Sequence, residues 1–340
     1  MLLSYGARQG TAQKRRPLMQ PTLTFTDIAT ARRRLARYLA PTPLAQSFYL
    51  GDKDTRYFFK LESLQHAKSF KIRGALNKML TLTAEEKARG VAAISSGNHG
   101  SSVSYAAKLL GIHQATIIVP HTTPQSKIDK IRYFGAKVLR MGQSYDEAHV
   151  LGMEYIRAAR MTYIDAYDDD PLIYAGQGTI ALELLEQNPA IDTIVVPVGG
   201  GGLITGIAVA AKAAKPGIRV FGVQTEACPA MVRSYQDGKR YAEYPSGDTL
   251  CDALVGGVGT LSYALAGSVV DAFFTVTEQG IAKAVRFLAR EEKLIAEAGS
   301  ATTVAAIAEH GREIGGRNVA LILSGGNIDG DLLARLVCDA

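Results

Sequence analysis

TIVVPVGGGGLITGIAVAA (Thr193–Ala211) is the stretch whose reading decides the fold. Thr193 to Val198 is a short apolar run with no polar alternation, as expected of a strand covered on both faces. Four consecutive glycines follow, Gly199, Gly200, Gly201 and Gly202, and then Leu203 leads into the helical pattern ITGIAVAAKAA (204–214). Glycines occupy backbone conformations that other residues resist, and they let peptide N–H groups approach an anion closely. A phosphate at this turn would also face the positive end of the helix. Neither of two familiar phosphate motifs fits. The G-x-G-x-x-G spacing fails because Gly206 comes one residue late, and no Lys-Ser/Thr pair follows as a P-loop requires.

The same strand-to-helix alternation extends in both directions. Further strands are expected at 91–94, 115–119, 136–140, 219–223 and 319–323, all continuous apolar runs. Between them lie helical patterns at 103–110, 179–187 and 280–292, with stops at Gly111 and at Lys215-Pro216-Gly217. This order implies an α/β fold with parallel sheets. No low-complexity tract, long linker or solenoid repeat interrupts it.

Composition narrows the function classes. With 340 residues, 47% hydrophobic and 21% charged, the chain has room for two domains with their own cores. No apolar run reaches the roughly 20 residues needed to span a bilayer, so no membrane role is expected. The net charge of +6 draws on Lys14 to Arg16 and on Arg32 to Arg34. We read these as a basic tail and the solvated face of an amphipathic helix, not as a nucleic-acid patch. Three cysteines without metal-type spacing and six scattered histidines give no zinc site or disulfide framework. They fit a reducing compartment, the cytoplasm. Residues 1–18 lack the apolar core of a secretory signal and are expected to be a disordered extension.

Three other segments carry chemistry. Lys71 in SFKIRGALNKM (69–79) stands at an apparent helix start. SSGNHG (95–100) follows a buried-type strand and opens a helix, so its N–H groups and small polar side chains suit a carboxylate. LSGGNID (323–329) is again a strand running into glycines, with Ser324 at the carboxyl end where ligands of open α/β sheets gather.

These segments, with KLESLQ (60–65), YAAKLLG (105–111), AGQGTIALELL (175–185) and DIATARRRLARYLAPTPL (27–44), resemble the fold-type II enzymes that depend on pyridoxal 5′-phosphate. Within that class the resemblance is to the threonine/serine dehydratase and serine racemase group, and it runs from about Thr26 to the C-terminus. It implies two open parallel-sheet domains of the tryptophan synthase β-like class. The large, cofactor-binding domain would comprise 19–87 with 167–340, and a small mobile domain 88–166. Lys71 would form the Schiff base with the cofactor and later remove the substrate Cα proton. Phe70 would pack on the cofactor ring, Asn98 would meet the ring hydroxyl and Ser324 the ring nitrogen. Gly199 to Gly202 and the Leu203 N–H would cradle the phosphate. Ser95, Ser96, Gly97, Asn98 and His99 would hold the substrate carboxylate. A homodimer is usual for the group.

The implied reaction converts L-threonine, L-serine or a related β-hydroxy amino acid to a 2-oxo acid and ammonia. With so short a C-terminus, no appended sensing domain is expected. Departures from the group's pattern keep an alternative open. Ser96 stands where racemases place a second acid/base, so a serine or amino-acid racemase is the runner-up, beside a dehydratase for a less usual β-hydroxy amino acid. Ala67-Lys68 replaces the usual Thr-Gly. Gln224 replaces the acid of the racemase metal site, so no metal is expected there. Glu297, in AEAGS (296–300), is expected near the cofactor. A nicotinamide-dependent oxidoreductase lacks its fingerprint here, and a non-catalytic binding protein would leave Lys71 idle.

Overall fold

The computed structural model describes residues 22–168 and 170–338, so the extension expected at 1–18 lies outside the described residues. In chain order the strands are β1 (Leu44–Gly51), β2 (Arg56–Leu61), β3 (Val91–Ile94), β4 (Ala115–Val119), β5 (Lys137–Arg140), β6 (Thr162–Tyr163), β7 (Thr193–Pro197), β8 (Arg219–Thr225), β9 (Ala272–Val276) and β10 (Asn318–Leu323). Six of them form one sheet in the order β1-β2-β10-β7-β8-β9, and four form a second in the order β5-β4-β3-β6. Every pairing is parallel except that of the edge strand β1 with β2. The parallel α/β expectation therefore holds, with one antiparallel edge added.

The helices are α1 (Phe25–Leu35), α2 (Lys71–Leu80), α3 (Ala84–Arg89), α4 (Asn98–Leu109), α5 (Gln125–Tyr133), α6 (Tyr145–Ala158), α7 (Pro171–Gln187), α8 (Gly202–Ala214), α9 (Ala230–Gln236), α10 (Thr260–Val269), α11 (Glu278–Arg290), α12 (Ala298–Ile314) and α13 (Gly330–Cys338). They explain why the central strands are apolar throughout. Ile194 and Val196 of β7 enter a core shared with α1, α2, α7 and α8, whereas Val195 enters the core under α11 and α12. Ala320 and Ile322 of β10 face the first core, and Val319, Leu321 and Leu323 face the second. Each fully buried Ile or Leu contributes about 1.5–3 kcal/mol, which favours apolar residues on both faces of these strands. The smaller sheet is sandwiched likewise. Ala93, Ile117 and Val119 join the first core, while Ala92, Ile94 and Ile118 pack with Ala148 and Ile156 of α6.

α1 starts with a capping box between Thr24 and Asp27 and carries its arginines in its last turn, where the helix dipole favours cations. Arg33 lies on the solvated face as expected, but Arg32 and Arg34 are half-buried and paired. Arg32 pairs with Glu186 at 2.8 Å, and Arg34 donates to Asn77 at 2.5 Å. Beneath them lies a buried ion network. The Arg73 guanidinium pairs with Glu62 at 2.7 Å and with Glu183 at 2.8 Å, and Lys60 reaches Glu183 at 3.0 Å. Arg73 follows Lys71 by two residues, so this network fastens to α7 the same helix that begins with the lysine.

Gly206, the glycine one residue late for a nucleotide fingerprint, has a packing role. A Cβ there would stand 2.4 Å from the Tyr174 carbonyl oxygen and 2.8 Å from the Gly178 nitrogen. It lets α8 lie directly against α7.

Candidate active site

The strand ends bring the chemical segments together. Ser95 follows β3, Gly199 follows shortly after β7 and Ser324 follows β10, all at carboxyl ends. Lys71 stands at the first position of α2, and the loop before it is stitched to the end of β10. Phe70 N–H donates to the Ser324 carbonyl at 3.0 Å, Gly326 N–H donates to the Lys68 carbonyl at 2.9 Å, and Ser69 bridges to Gly325. Ala67 and Lys68, the departure from Thr-Gly, both adopt left-handed backbone at φ 55° and 60°.

Lys71 is half-buried, and its Nζ donates to the Ala166 carbonyl at 3.0 Å. The same nitrogen lies 5.4 Å from the centroid of the Phe70 ring and 5.7 Å from that of Tyr167. Desolvation brings its ammonium down from 10.5 to about 8, against the opposing pull of the Asp165 and Glu297 carboxylates.

The glycine loop ends at the N-terminus of α8. Gly201 caps that helix in left-handed backbone, φ 95°, and no side chain caps it. A 13-residue helix thus starts with its first N–H groups free of side-chain acceptors, the arrangement that binds anions. Gly200 is in close contact with Tyr167, because a Cβ there would stand 2.2 Å from the ring. Gly201 is walled by Met231 and Ser262, and Gly199 by Leu254.

Across the cleft, the turn before α4 is equally bare. Gly97 caps that helix without a side-chain acceptor, and a Cβ on Gly97 would meet nothing within 4 Å, so the turn faces open space. Ser95, Ser96, Gly97 and Asn98 are half-buried there. His99 is buried, and its Nε2 donates to the Ile164 carbonyl at 2.8 Å. Burial, with the Lys71 ammonium nearby, pushes its imidazole down to about 3, so it is neutral at pH 7. Asn98 Nδ2 donates to both oxygens of Glu297, at 2.8 and 3.0 Å, and its Oδ1 accepts from Asn327 Nδ2 at 2.5 Å. Burial holds the Glu297 carboxyl above its ordinary range.

At the end of β10, Ser324 Oγ lies 3.0 Å from Ser300 Oγ, which itself accepts from Gly325 N–H at 2.7 Å. Gln224 has become a cap, its Oε1 accepting from the N–H groups of Met231 and Val232 at 2.9 and 3.1 Å. No group of three or more His, Cys, Asp or Glu among the described residues is placed to hold a metal ion.

The cleft thus gathers Lys71, Phe70, the Ser95–His99 turn, the glycine loop and Ser324, with Glu297 beside Asn98. Sequence reasoning misses Ser300, Asn327, Asp165 and Tyr167. Ser300 follows Glu297 by three residues in AEAGS, and Asn327 stands within LSGGNID, so both motifs carry a signal for them. Tyr167 follows a two-residue strand too short to register as periodic, so no pattern marks it.

Comparison with known proteins supports the same reading. A family model described as pyridoxal-phosphate dependent enzyme matches residues 35–325. The L-threonine ammonia-lyase of Thermotoga maritima is 41% identical over 318 residues, covering 93% of this chain and 78% of that protein. Among solved structures, the threonine deaminase of T.th. superposes with a TM-score of 0.83 at 36% identity, over 90% of this chain and 99% of its own. Maize serine racemase superposes with a TM-score of 0.87 at 33% identity, over 92% and 96%. With a family model spanning most of its length and relatives of this identity, the chain belongs to the pyridoxal-phosphate dependent enzymes of fold type II.

Proposed function

We propose that the chain is an ammonia-lyase that converts L-threonine or L-serine to a 2-oxo acid and ammonia. The observation that carries this reading is a lysine whose ammonium desolvation lowers to about 8, set in one cleft with two uncapped helix starts. One helix start suits the cofactor phosphate and the other a substrate carboxylate.

The residues present fit the cofactor. Gly199 to Gly202 and the Leu203 N–H offer an anion cradle free of side chains at the start of α8. Ser324 presents a hydroxyl, not a carboxylate, for the ring nitrogen, and its partner Ser300 fixes its direction. A neutral partner there leaves the ring a moderate electron sink, suited to elimination more than to transamination. Asn98, already gripped by Glu297 and Asn327, is preset for the ring hydroxyl. Phe70 stands beside Lys71 as a ring to pack on. When bound, the cofactor supplies an aldehyde for the amine and a π-system that accepts charge from Cα.

The chain's own residues do the rest. Lys71, near 8, can lose its proton at modest cost and then take the Cα proton. Ser95, Ser96, Gly97 and Asn98 orient the substrate carboxylate through the uncapped turn. His99, with Nε2–H committed to Ile164, offers Nδ1 only as an acceptor and brings no charge of its own. Closure of the small domain over the cleft belongs to the same proposal. Two contacts already span it from α5: Lys127 pairs with Asp252 at 2.7 Å, and Lys130 donates to Asn327. The homodimer and the cytoplasmic location are proposed with it. The buried free thiols of Cys228 and Cys251 support a reducing compartment.

The test is to incubate cofactor-loaded protein separately with L-threonine and L-serine, following 2-oxo acid release and the D/L ratio of the remaining amino acid. Rapid 2-oxo acid formation without D-isomer is expected. D-isomer accumulating ahead of 2-oxo acid would make Ser96 an acid/base and the chain a racemase. Lys71→Ala should abolish the cofactor's visible band; a band unchanged in that variant would refute the site.

A further inference from the structure

We propose that Tyr167 is the acid that gives a proton to the departing β-hydroxyl group of the substrate. The inference rests on the lyase reading above and adds a residue to it. Tyr167 is held at both ends of its backbone. Its N–H donates to Asp165 Oδ1 at 2.7 Å, and its carbonyl accepts from the Tyr174 hydroxyl. Its ring therefore has a defined place. The ring centroid is 5.7 Å from Lys71 Nζ, and ring atoms lie 2.2–2.7 Å from where a Cβ on Gly200 would stand. The Tyr167 ring thus lies near the amine that removes the Cα proton and against the loop assigned to the cofactor phosphate. A β-substituent beside that phosphate lies within the same space.

The hydroxyl itself is uncommitted. Tyr174 spends its hydroxyl on backbone carbonyls beside Ser262, Tyr235 donates to the Tyr263 carbonyl, and Tyr241 donates to Asp237. Tyr167 makes no side-chain hydrogen bond among the described residues, and its oxygen would stand 3.8 Å from a Cβ on Gly256, so glycine keeps room there. A half-buried phenol with no protein partner keeps its donor available to a ligand. Burial, with Tyr145, Asp165 and Asp168 nearby, holds the phenol above its ordinary range, so it stays protonated wherever the enzyme works.

Hydroxide is a poor leaving group, and the step balances with one donor and one acceptor. The Lys71 amine takes the Cα proton, and the freed pair forms the Cα–Cβ double bond. The Cβ–O bond breaks with its pair on oxygen, Tyr167 supplies a proton, and water departs. The phenolate then recovers a proton from the Lys71 ammonium.

Leaving-group dependence tests this. Tyr167→Phe and wild type, both loaded with cofactor, would be compared on L-serine and on 3-chloro-L-alanine, whose chloride departs without a proton. The serine-to-chloroalanine rate ratio should fall roughly 100-fold in Tyr167→Phe, the usual worth of a positioned acid, while the visible cofactor band persists. Tyr167→His, which keeps a ring and an N–H donor, should recover part of that ratio and provides the same reading if the phenylalanine variant folds poorly. A ratio that falls by less than about tenfold, because both rates drop together or neither does, overturns the inference: Tyr167 then only shapes the site. Failure of wild type to release 2-oxo acid from serine or threonine would instead sink the lyase reading itself.

Discussion

The free amine of Lys71 can be measured before any turnover. Burial lowers its ammonium from 10.5 to about 8, which multiplies the unprotonated fraction at neutral pH by about 300-fold. The rate at which apoprotein captures pyridoxal phosphate should follow that fraction and rise with pH to a midpoint near 8. Two carboxylates oppose the desolvation, Asp165 the more strongly and Glu297 second. Each favours the charged form, so removing either must move the midpoint down. Asp165→Asn and Glu297→Gln keep side-chain shape and delete the charge; both should capture cofactor faster than wild type at pH 6.5, with the larger change in Asp165→Asn. Stopped-flow absorbance of the visible band between pH 6 and 10 reads this directly. A wild-type midpoint near 10, or an upward shift in either variant, would refute the account of how the lysine is activated.

Other outcomes follow from the packing and charge described above. Glu183→Gln leaves Arg73 and Lys60 buried with too little negative charge, and should cost about 3–5 kcal/mol in urea unfolding. Gly206→Ala drives a methyl to 2.4 Å from the Tyr174 carbonyl oxygen; a loss of about 1–3 kcal/mol is expected, seen as a lower thermal midpoint. Lys68→Gly relieves left-handed backbone at φ 60° and should add about 1 kcal/mol if the loop is otherwise unchanged. His99, lowered to about 3 by burial, is neutral from pH 5 to 8. Its imidazole NMR shifts should stay flat across that range, and a titration near 6.5 would contradict the buried placement.

The central strands were legible because burial on two faces leaves a run no polar positions. β7, β8 and β10 fall where their apolar residues predict. β1 escaped detection because an edge strand is half-exposed, burying only Ser47, and β2 because Arg56 and the buried Lys60 interrupt its apolar run. β6 is two residues long and β9 only partly covered, so neither yields a pattern. In the site, glycines and Lys71 stood out because few other roles require those residues in that order. Tyr167 did not, since a tyrosine after a short strand has many ordinary reasons to be there. The arginines of α1 misled in the opposite direction. Their spacing fits a solvated face, and only tertiary structure shows that Glu186 and Asn77 claim two of them. Gly206 was read against a nucleotide motif, whereas its cause is the close approach of α7.

The stitch between the lysine loop and β10 has a consequence for how the protein is made. β10 is the last strand in chain order, yet it lies between β2 and β7 in the middle of the larger sheet. Until it inserts, Phe70 N–H and the Lys68 carbonyl lack their partners at Ser324 and Gly326, and β2 has no parallel neighbour. A ribosome that has delivered every helix from α1 to α12 has therefore still not delivered a seated Lys71. Cofactor capture should wait until β10 has been made, and nascent chains stalled before β10 should expose an unpaired sheet edge that chaperones recognise.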